Sequence, residues 1–493
     1  MMPPGCIRIW GTVAALGAAL TACSFEPDYV RPNVAQPAAY RTAQDATRLP
    51  QPDSRWWRMF GSEQLDSLVE AALKDNSDLK MAVARIGQSE ALAGVAAGPL
   101  LPTIQGVGQA ETMAPAGGLG NLYPSPGGLD ERLYSIGPRV SYELDLWGKN
   151  RAAMHAALAA AQASIFDRQV VAMTLVADVA TSYFQYLAAC QRTVVAERNV
   201  ANMKTVLDKV EHRFAIGEGN RVEVMQQRTI MTQAEASLPP FRTVRDQALD
   251  KLAVLLGKAP SDLHLDCADI NVVRVPQVAA GLPSELLLRR PDIRKAEANL
   301  QAATANIGVA RANLLPSFSL TGERGWGSTY LSAMLSPASI YYTVGANIVG
   351  TIFDNGKTLS EIDYSKAKRV ELIEAYRLAV LSALRDVDDA LVAVRDSADQ
   401  ETADLKALDA ASQAHSLGTQ AYDIGVSDYL TVLETERSNL KAEDDAVVAR
   451  LGRLLASVSL FKALGGGTDV PADAQGQGAQ SKGAPQQDGG RKG

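Results

Sequence analysis

The sequence predicts a mainly α-helical chain with transmembrane β-strands, built as two copies of one half-molecule. Three observations lead there: a long-range repeat, two pairs of alternating segments, and two helical stretches of unusual length. The repeat is the plainest. Asn76-Ser77-Asp78-Leu79 opens an Ala-rich stretch ending at Leu100-Leu101-Pro102, and Arg290-Pro291-Asp292-Ile293 opens another ending at Leu314-Leu315-Pro316. Asp78 and Asp292, like Pro102 and Pro316, are 214 positions apart. Downstream the offset is 208: Trp147-Gly148-Lys149 answers Asn355-Gly356-Lys357, and Phe214-Ala215-Ile216-Gly217 answers Tyr422-Asp423-Ile424-Gly425. Array units recur about every 20 to 50 residues, so this is a duplicated half rather than a solenoid.

Taken in order, the chain starts with Arg8 and an apolar run, Ile9–Leu20, too short to span a bilayer but suited to a signal-peptide core. Leu20-Thr21-Ala22-Cys23 follows and resembles a bacterial lipobox, which implies a lipoprotein signal peptide over 1–22 and acylation of Cys23. Several acyl chains anchor firmly where one binds only marginally. Ser24 stands where an inner-membrane retention signal has Asp, so the resemblance points to the outer membrane. Residues 24–55 are rich in Pro, Gln and Ala without a period and read as part of an acylated tether over 23–60. Trp56-Trp57-Arg58-Met59-Phe60-Gly61 begins the packed region.

The first repeat covers 61–257. Leu65, Leu68, Ala72 and Leu79 recur at helical spacing between Ser62 and about Ala97, until Gly98-Pro99 and Pro102. Thr103–Thr112 and Leu133–Leu144 then alternate, the second placing Tyr134, Ile136, Val140, Tyr142 and Leu144 on one side. They make a hairpin over 103–145 around a Gly/Pro-rich loop, 114–128. From Lys149 to Ala215 there is neither proline nor glycine, a helix on the order of 100 Å long. Met173, Val176, Ala180, Tyr183, Leu187, Cys190 and Val194 form a heptad seam along it. A return helix runs to Leu256, with Pro239-Pro240 expected to kink it.

A linker, 258–283, leads into the second repeat, 284–464. Its hairpin covers 317–352, with Tyr342, Val344, Ala346 and Ile348 on one face. Its seam reads Val370, Ile373, Val380, Leu384, Val387, Leu391 and Val394, with Arg377 interrupting, and no proline breaks its return helix. The tail, 465–493, is Gly/Gln/Asp-rich and expected to be disordered.

Strands of about ten residues with a tyrosine-bearing apolar face suit a tilted membrane span, although soluble hairpins over a core would show the same alternation. Four strands cannot close a barrel, and open edges are not tolerated in lipid. Several copies must therefore pool them. Three copies give a 12-stranded β-barrel, continued by a long periplasmic α-helical barrel.

Composition argues against chemistry and against nucleic acid. Without Arg8 the count is 47 basic against 55 acidic residues, a net charge of −8. His155, His212, His264 and His415 are scattered, and no Ser-His-Asp, Walker or zinc pattern occurs. No enzyme activity and no cofactor are expected beyond the lipid on Cys23. With Cys6 in the leader, only Cys190 and Cys267 remain, and Cys190 in its apolar stripe reads as a buried thiol rather than half of a bridge.

Gly281-Leu282-Pro283-Ser284-Glu285-Leu286-Leu287-Leu288-Arg289-Arg290-Pro291-Asp292-Ile293 resembles the most recognisable run of the TolC-type outer-membrane efflux proteins, in their OprM/NodT-like lipoprotein branch. Ala305–Ala312, Leu315-Pro316-Ser317, Tyr142–Gly148, Phe353–Lys357 and Tyr422–Leu433 continue the match over nearly all of 23–465. The resemblance implies a homotrimeric exit duct in the outer membrane, working with a periplasmic adaptor and an inner-membrane pump, most often RND-type, to expel drugs or other small molecules. It also implies that Leu430, Glu434 and Arg437 line or brace a periplasmic aperture, at i, i+4 and i+7 of one helix. Three copies of Glu434 would form an acidic ring favouring cations. Relatives commonly have Asp there, and Thr431 replaces a second acid of some. An ordinary surface pair between Glu434 and Arg437 remains the plainer alternative. Gly217 and Gly425 match the turns that meet the adaptor, and both also suit a helix C-cap. A duct for type I protein secretion shares these features, and a trimeric coiled-coil adhesin is the alternative from another class.

Overall fold

The duplication is visible element by element in the computed structural model, which describes residues 24–35, 37, 39–41, 54–113, 131–277 and 286–466. The leader, Cys23, the 114–128 loop, Gly281–Glu285 and residues beyond Gly466 lie outside them. The first repeat holds α1 (Glu63–Asp75), α2 (Ser77–Ala97), β1 (Thr103–Met113), β2 (Glu131–Leu144), α3 (Lys149–Ala215) and α4 (Arg221–Leu255). The second holds α5 (Leu286–Arg289), α6 (Pro291–Ala312), β3 (Ser317–Ser328), β4 (Ile340–Val349), α7 (Lys357–Asp423) and α8 (Tyr429–Ala463). The long helices α3 and α7 both have 67 residues, and the return helices α4 and α8 both have 35. α2 and α6, like β1 and β3, start 214 apart, whereas α3 and α7, like α4 and α8, start 208 apart. The slip between the two offsets therefore falls within the hairpins. Left-handed glycines repeat as well, in the pairs Gly148/Gly356, Gly217/Gly425 and Gly257/Gly465.

Two compact units emerge. One comprises Met1–Asn33, Arg85–Ser164 and Lys295–Arg377, and contains an antiparallel sheet of order β1-β2-β3-β4. Its register sorts the side chains as the alternation predicts. Ile104, Val140, Gly322 and Val344 form one cross-strand row, and Tyr142, Leu320 and Ala346 another on the same face. Val344 and Tyr342 on that face are 83% and 82% exposed. Arg132 and Arg324 interrupt it toward the loop ends of their strands, where a long stem can carry the charge to headgroup level. The opposite face is mostly polar, with small residues in the row Thr103, Ser141, Thr321, Gly345. Beside Pro138 the two central strands approach closely. A Cβ on Gly137 would lie 2.3 Å from the Arg324 carbonyl oxygen, and one on Gly325 2.4 Å from that of Ile136, so only glycine fits.

The N-terminal segment is extended, as expected of a tether, but it is pinned to this unit. Phe25 meets Trp147 edge-on at 6.3 Å, and Glu26 lies 2.8 Å from His155 Nδ1. Buried Glu297 accepts from the Tyr29 hydroxyl at 3.2 Å and from Arg31 Nε and Nη2 at 2.7 and 2.8 Å. The Trp147 indole donates to the Pro316 carbonyl at 2.7 Å, joining the repeats at their hairpin bases.

The other unit comprises Val34–Ala84, Ile165–Arg294 and Leu378–Gly493. Trp56 stacks on Phe461 at 4.9 Å and Phe60 meets Phe184 at 5.0 Å, but packing starts before Trp56, since Tyr40 is already buried. Several expectations are corrected here. The single helix expected over 62–97 is two, because Asn76 leaves the helical conformation, accepts from the Leu79 amide at 2.9 Å and donates to the Leu255 carbonyl at 2.9 Å. The first seam is buried from Met173 to Cys190, but Val194 is exposed. The second is displaced: Tyr376, Val380, Ala383, Val387 and Ala390 are buried while Val370 is 59% exposed, so Tyr376 fills the position given to Arg377. Pro239 and Pro240, where a kink is expected, lie inside α4 without ending it. The carbonyls left without a donor belong to Glu235 and Ala236, both exposed to water.

Cys190 is not a free thiol. It is bonded to Cys267, 77 positions away, because 258–277 is held against the helices, Pro260–Asp262 on α4 and Ile270–Val272 on α8. Ile270 there is fully buried, and the Tyr186 hydroxyl donates to the Leu265 carbonyl at 2.6 Å, two residues before Cys267. Arg450 donates to the Val273 carbonyl and, at 3.0 Å, to Glu401, whose other oxygen takes Arg453. Arg290 explains the Arg-Pro-Asp run. Its side chain, 7% exposed, bonds Asp292 at 2.7 Å and Asp386 at 3.2 Å and caps α8 at the Ala463 carbonyl.

Candidate functional site

The two turns between long and return helices are built alike. In the first, Glu218 N–H donates to Arg213 O at 2.9 Å and Gly217 N–H to Phe214 O at 3.1 Å. In the second, Val426 N–H donates to Ala421 O and Gly425 N–H to Tyr422 O, both at 2.9 Å. Each is a Schellman ending with glycine in the left-handed region, φ +85° at Gly217 and +75° at Gly425. A Cβ at either would meet nothing within 4 Å, so backbone conformation alone demands glycine. Ile216, Ile424 and Val426 beside them are 57%, 75% and 78% exposed, giving the turns apolar tips.

The return helices start from side-chain caps. Asn220 accepts from the Val222 amide at 3.0 Å, and Asp428 accepts from the Thr431 amide at 3.0 Å and its hydroxyl at 2.7 Å. Those bonds from Thr431 hold the Asp428 carboxyl below its ordinary range. Thr431 is therefore the partner of an acid three residues earlier, which the sequence reading passed over.

Leu430, Glu434 and Arg437 lie together on the exposed face of α8, Leu430 being 66% exposed. Glu434 and Arg437 form no ion pair with each other in the protomer. The opposite face, Tyr429, Val432 and Glu436, is buried. There the sequence reading missed a buried hydrogen-bonded contact between helices. Gln227 of α4 is fully buried, donates to the Met203 carbonyl of α3 at 3.1 Å, and accepts from the Tyr429 hydroxyl. Burial, with Glu436 nearby, pushes the Tyr429 hydroxyl far above its ordinary range, so it is a proton donor throughout the physiological range. Burial also raises the Glu436 carboxyl. Tyr422 at the end of α7 meets Tyr429 at 5.6 Å, and Arg213 of α3 bonds the Tyr422 hydroxyl with its guanidinium 5.5 Å from the ring. Each tyrosine flanking the second turn is thus held by a residue flanking the first. The signal open to inspection was that pair, seven residues apart across a glycine turn. Such an arrangement binds helices to one another, and among the described residues no cluster suited to a metal occurs.

The outer membrane efflux protein family matches residues 68–258 and again 282–466, one match per repeat. The pyoverdine export outer membrane protein OpmQ of Pseudomonas aeruginosa is 38% identical over 91% of this chain and 94% of its own length. The solvent efflux pump outer membrane protein SrpC of Pseudomonas putida is 32% identical over 92% and 97%. Among solved structures, the outer-membrane channel OprN superposes with a TM-score of 0.82 at 29% identity, covering 90% of this chain and 99% of that one. The open state of the MtrE channel of Neisseria gonorrhoeae gives 0.82 at 30% over the same shares. The chain belongs to the outer membrane efflux protein family, as an efflux channel of the outer membrane that extends into the periplasm.

Proposed function

We infer that three copies pool their sheets into one 12-stranded barrel, and that this trimer is the exit duct of a tripartite, RND-type pump. The observation that carries it is a four-stranded sheet with one apolar face and two outer strands, β1 and β4, each paired on one side only among the described residues. Unpaired backbone groups cost several kcal/mol apiece in lipid, so closure across copies removes both edges at once. Acylation of Cys23 would hold the pinned segment at the membrane. The turns at Gly217 and Gly425, with their apolar tips, suit docking of a periplasmic adaptor. Leu430, Glu434 and Arg437, exposed and without an ion pair among the described residues, suit the aperture that closes the tube. Solutes pass without covalent chemistry and without a cofactor. Compounds of the kind exported by its relatives, pyoverdine or organic solvents, are the first to try. The test is to extract the native lipoprotein in detergent, weigh the particle and record from it in planar bilayers. A three-chain particle that conducts ions supports the reading, and a single chain that never conducts overturns it.

A further inference from the structure

The sheet's polar face carries one feature that a wide water-filled pore does not require. Gln105, Arg139, Glu323 and Thr343 form a single row across the four strands. Arg139 Nε lies 2.7 Å from Glu323 Oε2, and the Tyr341 hydroxyl donates to the other oxygen of Glu323. The neighbouring rows on that face are Thr103, Ser141, Thr321 and Gly345 on one side, and Val107, Gly137, Gly325 and Tyr341 on the other. Apart from Gln105, the three bonded residues are thus, among the described residues of these rows, the only long polar side chains. Gly137 and Gly325 beside them cannot be replaced by anything larger, as their backbone contacts show. The Glu323 side chain is 16% exposed and that of Arg139 40%, so the cation is the more accessible partner.

We propose that Glu323 is a specificity-determining residue of the barrel, which masks Arg139 so that anionic solutes pass without being held. Three copies set three such pairs around the lumen at one height. With the pairs intact the ring is close to neutral. Without Glu323 it becomes three unmasked guanidiniums, each able to take a carboxylate in bidentate fashion or a phenolate through its single oxygen. Tyr341 acts through Glu323 as a positioning residue, holding the carboxylate against Arg139. The proposal rests on the polar face lining the pore, as the channel reading requires.

The experiment measures cation-to-anion permeability ratios from reversal potentials across a salt gradient. Glu323→Gln, Arg139→Gln and the double variant are each made in a Tyr429→Phe background, so that the periplasmic end does not dominate the resistance. At about 0.1 M salt a ring of charge is felt over roughly 10 Å, and at 1 M over about 3 Å. Glu323→Gln is expected to shift the ratio toward anions by about twofold at the lower salt, Arg139→Gln toward cations, and the double variant to return near the parent. All three shifts should fade at 1 M. Tyr341→Phe should give a smaller shift in the direction of Glu323→Gln. A purely structural ion pair would lower trimer yield without shifts of opposite sign. Conducting channels with unchanged ratios overturn the proposal and leave the channel intact, whereas absence of conductance in the parent overturns both. Should Glu323→Gln fail to assemble, Glu323→Asp decides instead: a parental ratio supports the masking role and an anionic shift refutes it.

Discussion

Removing one hydroxyl, in Tyr429→Phe, should loosen the periplasmic end of the channel. The hydroxyl donates to Gln227, whose side chain is fully buried between α3 and α4. In the variant the Gln227 carbonyl oxygen loses its donor where water does not reach. An orphaned buried acceptor costs about 1 to 3 kcal/mol, and 2 kcal/mol corresponds to roughly a 30-fold change in an equilibrium. If opening draws α8 away from α3 and α4, that cost falls on the closed state alone, and the closed-to-open ratio drops about 30-fold per protomer. Single-channel recording reads this as a rise in open time at unchanged open conductance. Replacing both partners by apolar groups is far cheaper than orphaning one, so Gln227→Leu with Tyr429→Phe should regain much of the closure. An unchanged open time in Tyr429→Phe would mean that the bond survives opening, and its assignment to closure would fall.

Three other outcomes are expected. Glu434→Ala with Arg437→Ala should raise conductance in planar bilayers, because both side chains are exposed, and unpaired among the described residues, on the face assigned to the aperture; unchanged conductance removes the gate from those residues. Valine at Gly217 and Gly425 forces a β-branched residue into left-handed backbone and should abolish crosslinking to a periplasmic adaptor, which normal crosslinking would refute. The Asp428 cap should weaken in acid. Its carboxyl titrates below the ordinary value near 3.9, so the stabilisation is full above that value and is lost as pH falls through the depressed one. Hydrogen exchange over 424–436, corrected for intrinsic rates, should therefore quicken only at pH well below 4, and Asp428→Asn should flatten the profile.

Much of the architecture was legible because it rests on periodicities. Alternation at Tyr134, Ile136 and Val140, or at Tyr342 and Val344, follows from a sheet with one face in an apolar medium, and the register sorts those residues onto that face. The length of α3 follows from the absence of glycine and proline over 149–215, and α7 reaches the same length with Gly418 inside it. What escaped was set by contacts distant in the chain. Nothing around Cys267 marks it as a partner for Cys190, since the pairing depends on 258–277 being held against α4 and α8. The exchange of Tyr376 for Arg377 in the second seam is a one-residue rotation, which a pattern already broken by a charge cannot resolve. Gln227 looks like any polar helix residue until Tyr429, 202 positions on, is brought against it. Leu430, Glu434 and Arg437 were placed together by simple helical spacing. Their exposure in one chain agrees with a role between chains, which no single protomer displays.

Strand-to-strand crosslinking between copies tests the central claim most directly. Cysteine at Thr343 of β4 would be combined in turn with cysteine at Thr103, Gln105, Val107 or Gln109 of β1, all on the polar face, and oxidised in native outer membranes. One register should give covalent dimers and trimers and nothing larger, because β4 of each copy meets β1 of the next and the third bond closes the ring. A ladder continuing past three chains, or no bond in any register, would contradict it.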